Sequence, residues 1–272
     1  MTAPLLAVDI GNTTVKIGLF AARVEHFTAS ATHLAVLPTP DRILESPTAD
    51  LALENLSAQL PAEPARWFVS SVHRPGERRL ADWLRMHRPA DEYRVLTYRD
   101  VPLRIAVDSP ERVGFDRLAT AVAANALRSP DRSAVIVDVG TALKVHVVSA
   151  AGEFLGGAIA PGLHMAAKAL QGETDLLPHV PVTLGESPPP VIGTNTAAAI
   201  RSGLYWGTIG AARELLARAV AEQPHPPDVF ITGGDAQVLA TLLHPNARFI
   251  PHLCLSGIAL VAATLHHHLT AD

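Results

Sequence analysis

The chain has 272 residues, 48% of them hydrophobic, and a mean hydropathy of +0.21. That composition excludes a disordered chain and supplies core enough for two domains at about 100 to 200 residues each. A net charge of −4 and a pI near 6.3 argue against a nucleic-acid partner, which requires a concentrated basic face.

The first predicted element is the apolar run through Ala7-Val8-Asp9-Ile10, which reads as a buried strand and ends in Gly11-Asn12-Thr13. Gly11 after the acid is expected to permit a tight turn with φ > 0. The β-prone run Thr14-Val15-Lys16-Ile17-Gly18-Leu19-Phe20 completes a hairpin. No basic region precedes this segment, and Asp9 falls inside what would have to be a leader's apolar core, so no leader is expected. Val24 to Ala31 reads as a further strand, followed by a loop punctuated by Pro38, Pro40 and Pro47. Leu51 to Leu60 reads as a helix, Trp67 to Val72 as a strand, Arg78 to His87 as an amphipathic helix and Tyr93 to Thr97 as a strand. Arg74, Arg78, Arg79, Arg85 and Arg88 are interrupted by Glu77 and Asp82, a spacing that fits a solvated helix better than a nucleic-acid patch. Gly114-Phe115-Asp116-Arg117 opens an Ala-rich helix over Leu118 to Leu127, which closes at Ser129-Pro130-Asp131. The expected domains are 1–128 and 129–272.

The second half begins with the strand Ala134 to Val139 and repeats the opening phrase as Ile136-Val137-Asp138-Val139-Gly140-Thr141. Ala142 to Val148 follows as the return strand of a second hairpin. Gly156 to Gly162 is too rich in Gly and Pro for a helix interior. His164 to Gln171 suits a helix, Leu177 to Pro190 is extended or looped, and Ala197 to Val220 is helical with small residues that allow close packing. The strand Val229 to Thr232 ends in Gly233-Gly234 before a helix over Ala236 to Leu243, a plausible nucleotide seat that is equally an ordinary connection. Leu253 to Leu265 falls short of the ~20 residues needed to cross a bilayer. The single Cys254 cannot form an internal disulfide, and its apolar surroundings predict a buried, inert thiol. A cytoplasmic protein is expected, with no membrane or nucleic-acid partner.

Asp9 and Asp138 stand 129 positions apart, far beyond a solenoid period, so the repeat implies two similarly built domains facing one cleft. Gly-rich turns expose backbone N–H groups that cradle phosphates, and a carboxylate beside them holds Mg²⁺ directly or through water. Either turn alone reads as an ordinary hairpin corner. Two together favour a nucleotide triphosphate.

These two turns, Gly114-Phe115-Asp116-Arg117, Gly156 to Gly162, Asn195 to Gly203 and Thr232-Gly233-Gly234 occur in the order and rough spacing of the type III pantothenate kinases, which the chain resembles over nearly its whole length. The resemblance implies an α/β fold of two ribonuclease H-like domains, as in actin and the sugar kinases. It also implies ATP-dependent phosphorylation of pantothenate, the first step of coenzyme A synthesis, by a homodimer. Under it Asp9, Ile10, Gly11, Asn12, Thr13, Thr14, Val15 and Lys16 form the first phosphate loop, with Asp9 oriented toward Mg²⁺. Gly114, Phe115, Asp116 and Arg117 hold pantothenate, Asp116 is the general base, and Arg117 pairs with the substrate carboxylate. Asp138 matches the position of a monovalent cation, K⁺ or NH₄⁺. Thr141 is a second phosphate contact, Gly233 and Gly234 belong to the nucleotide seat, and Thr196 touches substrate. The chain departs from the family where Thr and Asp are usual, carrying Lys144 and His146 instead. Lys144 either reaches a phosphate or occupies the space of the cation; His146 reads as an ordinary strand residue. Two other readings stay open, a kinase of the same superfamily acting on another small hydroxy acid or sugar, and a silent nucleotide-binding relative.

Overall fold

The structure, a computed structural model, describes residues 3–20, 34–185, 187–234 and 236–270. The strand expected over Val24 to Ala31 lies outside them. Contacts divide the chain into two compact units: Met1–Pro130 with Gly152–Phe154 and Leu253–Asp272, and Asp131–Ala151 with Leu155–His252.

In the first unit β1 (Leu5–Ile10), β2 (Thr14–Phe20), β3 (Arg42–Pro47), β4 (Arg66–Ser71) and β5 (Glu92–Val95) form one sheet in the order β3-β2-β1-β4-β5. β1 and β2 are antiparallel, while β4 and β5 continue in parallel from β1. The period of two along β1 puts Leu6, Val8 and Ile10 into a core with Val15, Ile17, Trp67 and Val69, closed by Leu80, Trp83 and Leu84 of helix α2 (Arg74–His87). A short helix, α1 (Leu53–Ser57), occupies only the middle of the expected Leu51 to Leu60 segment. The opposite face carries Leu5, Ala7 and Asp9; Gly18, paired with Ala7, lies against Leu255 of the last helix. β1 is therefore covered on both sides, which is why it reads as an unbroken apolar run interrupted only by Asp9. The Pro-punctuated segment expected as a loop contains β3 instead. As an edge strand with Pro47 at its end, β3 loses no ladder hydrogen bond to the ring. Strand β6 (Arg104–Ile105) pairs in parallel with Glu153 and Phe154. Helix α3 (Phe115–Leu127) is buried along most of its length because its alanines permit close packing against the last helix, α7 (Leu253–Thr270). Cys254, expected to be buried, is half-buried in the first turn of α7; helical geometry turns it away from its buried neighbours Leu253 and Leu255.

The second unit repeats the plan. β7 (Ala134–Val139), β8 (Ala142–Val148), β9 (Glu153–Pro161), β10 (Asp228–Thr232) and β11 (Arg248–Phe249) lie in the order β9-β8-β7-β10-β11, the same order as β3-β2-β1-β4-β5. β7 and β8 are antiparallel and β10 is parallel to β7. Val135, Val137 and Val139 pack with Ile200, Leu204, Tyr205 and Ile209 of helix α5 (Thr196–Ala221). Helices α4 (Leu163–Gly172) and α6 (Ala236–Leu243) complete the layer. The Gly-rich Gly156 to Pro161 stretch is strand β9, and His146 is fully buried within β8. The fold is α/β with two ribonuclease H-like sheets built on one plan. Among the described residues no helix is long and apolar enough to cross a membrane.

Candidate functional site

In the first unit Asp9 is the next-to-last residue of β1, with Lys16 opposite it on β2 and Ser70 beside it on β4. The turn beyond is closed by its own backbone, Gly11 N–H donating to the Thr14 carbonyl at 3.1 Å. It is also clamped from outside: the Thr48 hydroxyl donates to the Gly11 carbonyl at 2.8 Å and the Thr48 N–H to the Thr13 carbonyl at 2.9 Å. Thr48 escaped the sequence reading because it lies 37 residues from Gly11 and meets it only through strand register. Val72 N–H donates to the Ile10 carbonyl at 3.0 Å, and the Val72 side chain lies against Gly114. The carboxyl ends of β1 and β4 thus meet the N-terminus of α3. That junction assembles Asp9 to Thr14, Gly114 and Asp116 at one end of the sheet, where ligand sites of open α/β sheets occur.

Gly114 is the residue at which α3 starts, and Asp116 stands in its first turn. The Asp116 carboxylate folds back over Gly114; a Cβ at Gly114 would come within 2.5 Å of Asp116 Oδ1. Arg117 is half-buried with its guanidinium 5.5 Å from the centre of the Phe154 ring. Burial pulls its pKa below the usual arginine value, while the neighbouring Asp116 opposes that fall. The group remains a cation whose thin hydration makes a bidentate carboxylate ligand more favourable.

In the second unit Asp138 occupies the equivalent place in β7, opposite Lys144 on β8 and beside Thr232 on β10. Lys144 Nζ lies 2.9 Å from Asp138 Oδ2, and the two side chains are only 18% and 19% exposed. Two glycines press on this turn. A Cβ at Gly162 would lie 2.2 Å from the Gly140 carbonyl oxygen, and one at Gly233 would lie 2.1 Å from that of Val139. Gly233 also has φ of +109°, a conformation that side chains disfavour. Gly233 thus joins Asp138 and Thr141 at one turn, while Gly234 is exposed beside it.

The turn glycines do not adopt the positive φ expected of them. Neither Gly11 nor Gly140 is among the described glycines with positive φ, which are Gly152, Gly156, Gly157 and Gly233. At Gly11 the constraint is space, since a Cβ would sit 3.1 Å from the Thr14 carbonyl; at Gly140 the nearest contact is an ordinary 3.9 Å. The steric demand in the second turn has moved to the glycines that pack onto it.

Thr196 begins α5 after Asn195, whose side chain accepts the Ala198 N–H at 2.9 Å. It is exposed at the rim of a cavity of about 720 Å³ between α4 and α5, lined chiefly by Ala166, Leu170, Leu177, Ile200 and Leu204. Among the described residues no group of three or more His, Cys, Asp or Glu is arranged to hold a metal ion.

The family model for type III pantothenate kinase matches residues 5–218. A type III pantothenate kinase of Anaeromyxobacter dehalogenans is 32% identical over 259 residues, covering 94% of this chain and 98% of that protein. One from Symbiobacterium thermophilum is 35% identical over 276 residues, covering 94% and 95%. Two solved structures share the fold at low identity. The ethanolamine utilization protein EutJ of Carboxydothermus hydrogenoformans aligns with a TM-score of 0.52 at 14% identity, covering 96% of this chain and 90% of that one. A Sinorhizobium meliloti protein described as a 2-dehydro-3-deoxygalactonokinase aligns with 0.51 at 13%, covering 97% and 99%. With its motifs, its duplicated sheets and full-length relatives in agreement, the chain belongs to the type III pantothenate kinase family.

Proposed function

We propose that this chain transfers the γ-phosphoryl group of ATP to the primary hydroxyl of pantothenate, giving 4′-phosphopantothenate and ADP, the first step of coenzyme A synthesis. The observation that carries this reading is the family match over residues 5–218. The local chemistry agrees with it. Phosphoryl transfer needs positioned amides and cationic charge on the phosphates more than covalent chemistry, and the two hairpin turns are the segments this reading assigns to the phosphates. Asp9 through Lys16 serve as the first phosphate loop, Thr141 as a second contact, and Gly233 and Gly234 as part of the nucleotide seat. Asp9 would hold Mg²⁺ through water, and the ion would supply neutralisation of phosphate charge.

Gly114 to Arg117 and Thr196 bind pantothenate. Asp116 accepts the hydroxyl proton as the new O–P bond forms, and Arg117 pairs with the substrate carboxylate. The proposed domains are 1–128 and 129–272, with α7 returning to pack in the first compact unit. A cytoplasmic location fits a coenzyme A precursor pathway. A homodimer is supported by one face of α5, where Gly203, Gly207 and Gly210 meet open space beside the partly exposed Trp206, and by exposed Leu155 and Ile159 on β9.

A coupled ADP-release assay over a panel of alcohols decides the substrate. Turnover with pantothenate and none with sugars or other hydroxy acids is expected. Pantothenate-independent turnover on a sugar would replace this reading with another kinase of the superfamily, and silence in every salt would leave a nucleotide-binding relative. The same motif carry-over puts K⁺ or NH₄⁺ at Asp138, where Lys144 is already seated.

A further inference from the structure

We propose that Lys144 supplies from within the chain the positive charge that a monovalent cation would otherwise bring to Asp138, so that this protein works without K⁺ or NH₄⁺. The inference rests on the kinase reading for its catalytic consequence, though not for its structural basis.

The residues around Asp138 do not fit an added monovalent cation. Register puts Lys144 directly across the ladder from Asp138, so its ammonium reaches the carboxylate without leaving its own strand. The contact, at 2.9 Å between two side chains less than a fifth exposed, leaves the pair close to neutral and largely shielded from solvent. A potassium ion on the same carboxylate would sit a few ångströms from the ammonium, and like charges at that range repel strongly where water is scarce. An alkylammonium head is also chemically equivalent to a bound ammonium ion, a unit charge with N–H donors for surrounding oxygens.

The neighbourhood explains why the ammonium stays. Beyond Glu153, which pairs with Arg104, β9 runs Phe154 to Pro161 without an acidic residue. No carboxylate on that stretch competes for Lys144. The first hairpin has the opposite arrangement: Lys16, across from Asp9, lies 3.7 Å from Glu45 on β3.

The test compares wild type with Lys144→Ala in KCl, NH₄Cl and choline chloride at equal ionic strength. The wild-type rate of ADP release is expected to be the same in all three salts. Lys144→Ala is expected to be slow in choline chloride and to recover about tenfold or more in NH₄Cl, because the carboxylate then lacks its cation. Wild type that needs KCl or NH₄Cl for turnover overturns the proposal, as does a Lys144→Ala rate indifferent to salt. A second readout needs no substrate. Melting of the ligand-free protein is expected to respond to K⁺ or NH₄⁺ over choline in Lys144→Ala and not in wild type; a cation-specific rise in wild type overturns the proposal. If Lys144→Ala does not fold, Lys144→Gln takes its place and the wild-type arms stand unchanged. Failure of the kinase reading appears as no pantothenate turnover in any salt, whereas failure of this inference appears as cation dependence in the wild type.

Discussion

Two hairpins built on one plan meet their lysines differently. In the first, Lys16 stands across from Asp9 but lies 3.7 Å from Glu45 on the neighbouring strand; in the second, Lys144 stands across from Asp138 and pairs with it at 2.9 Å. The backbone plan is the same and the electrostatic result is not. A ladder position only offers a lysine to its opposite neighbour, and whether the ammonium goes there depends on what the next strand provides. β3 provides Glu45, while β9 beyond its first residue provides none. The strand end beside the first turn also abuts the start of α3 through Val72 and Gly114, with Asp116 in that helix's first turn, so one unit holds the carboxylates proposed to react and the other an ion pair.

The largest expected effect tests the first half of that contrast. Asp116→Asn should lower kcat by about 10²-fold or more, the range for loss of a general base, with an unchanged melting temperature. An unaltered rate of ADP release rejects the assigned role. Asp9→Asn should lower kcat by about tenfold or more and raise the Mg²⁺ concentration needed for half-maximal rate, since the carboxylate proposed to meet the ion is lost. Asp138→Asn should leave that Mg²⁺ requirement where it was. Its cost should appear as stability, about 1–3 kcal/mol by denaturant melt, because the Lys144 ammonium keeps its half-buried place without its carboxylate. Equal Mg²⁺ shifts from both variants would erase the distinction between the turns.

Packing separates the turns next. Gly233→Ala should destabilise by about 2–4 kcal/mol, since a Cβ would meet the Val139 carbonyl at 2.1 Å on a backbone with positive φ. Gly11→Ala, with 3.1 Å to the Thr14 carbonyl, should cost about 1 kcal/mol, and Gly140→Ala less. Thermal melts that rank Gly140→Ala worst would place the steric demand back in the turn itself.

The smallest effect concerns the edge of the first unit's sheet. Burial, with a smaller contribution from Glu77, pushes the Tyr93 hydroxyl up to about 12 from its ordinary 10. The folded state therefore keeps the phenol neutral where the unfolded chain ionises it. The stabilisation is complete below pH 10 and is lost as pH rises from 10 toward 12. Tyr93→Phe should flatten the fall in melting temperature across that interval, and an identical alkaline slope in the variant would count against it.

Much of this molecule is written locally. Apolar runs ending in Asp-x-Gly declared both hairpins, because a buried strand needs β-branched residues and a sharp end needs turn formers. The Ala-rich segment after Arg117 declared α3, and the ordered set of short motifs declared the family. What local sequence did not disclose depends on partners distant along the chain. β3 was hidden among prolines because an edge strand tolerates them, and Thr48 became a clamp on the first turn only when strand register brought it there. The glycine demand fell on Gly162 and Gly233 instead of Gly140, because steric room is set by the segments that pack onto a turn. Lys144 announced a departure by its identity alone, but its destination was decided by geometry. Charge goes to the nearest uncommitted opposite charge, and only the assembled sheet says which one that is.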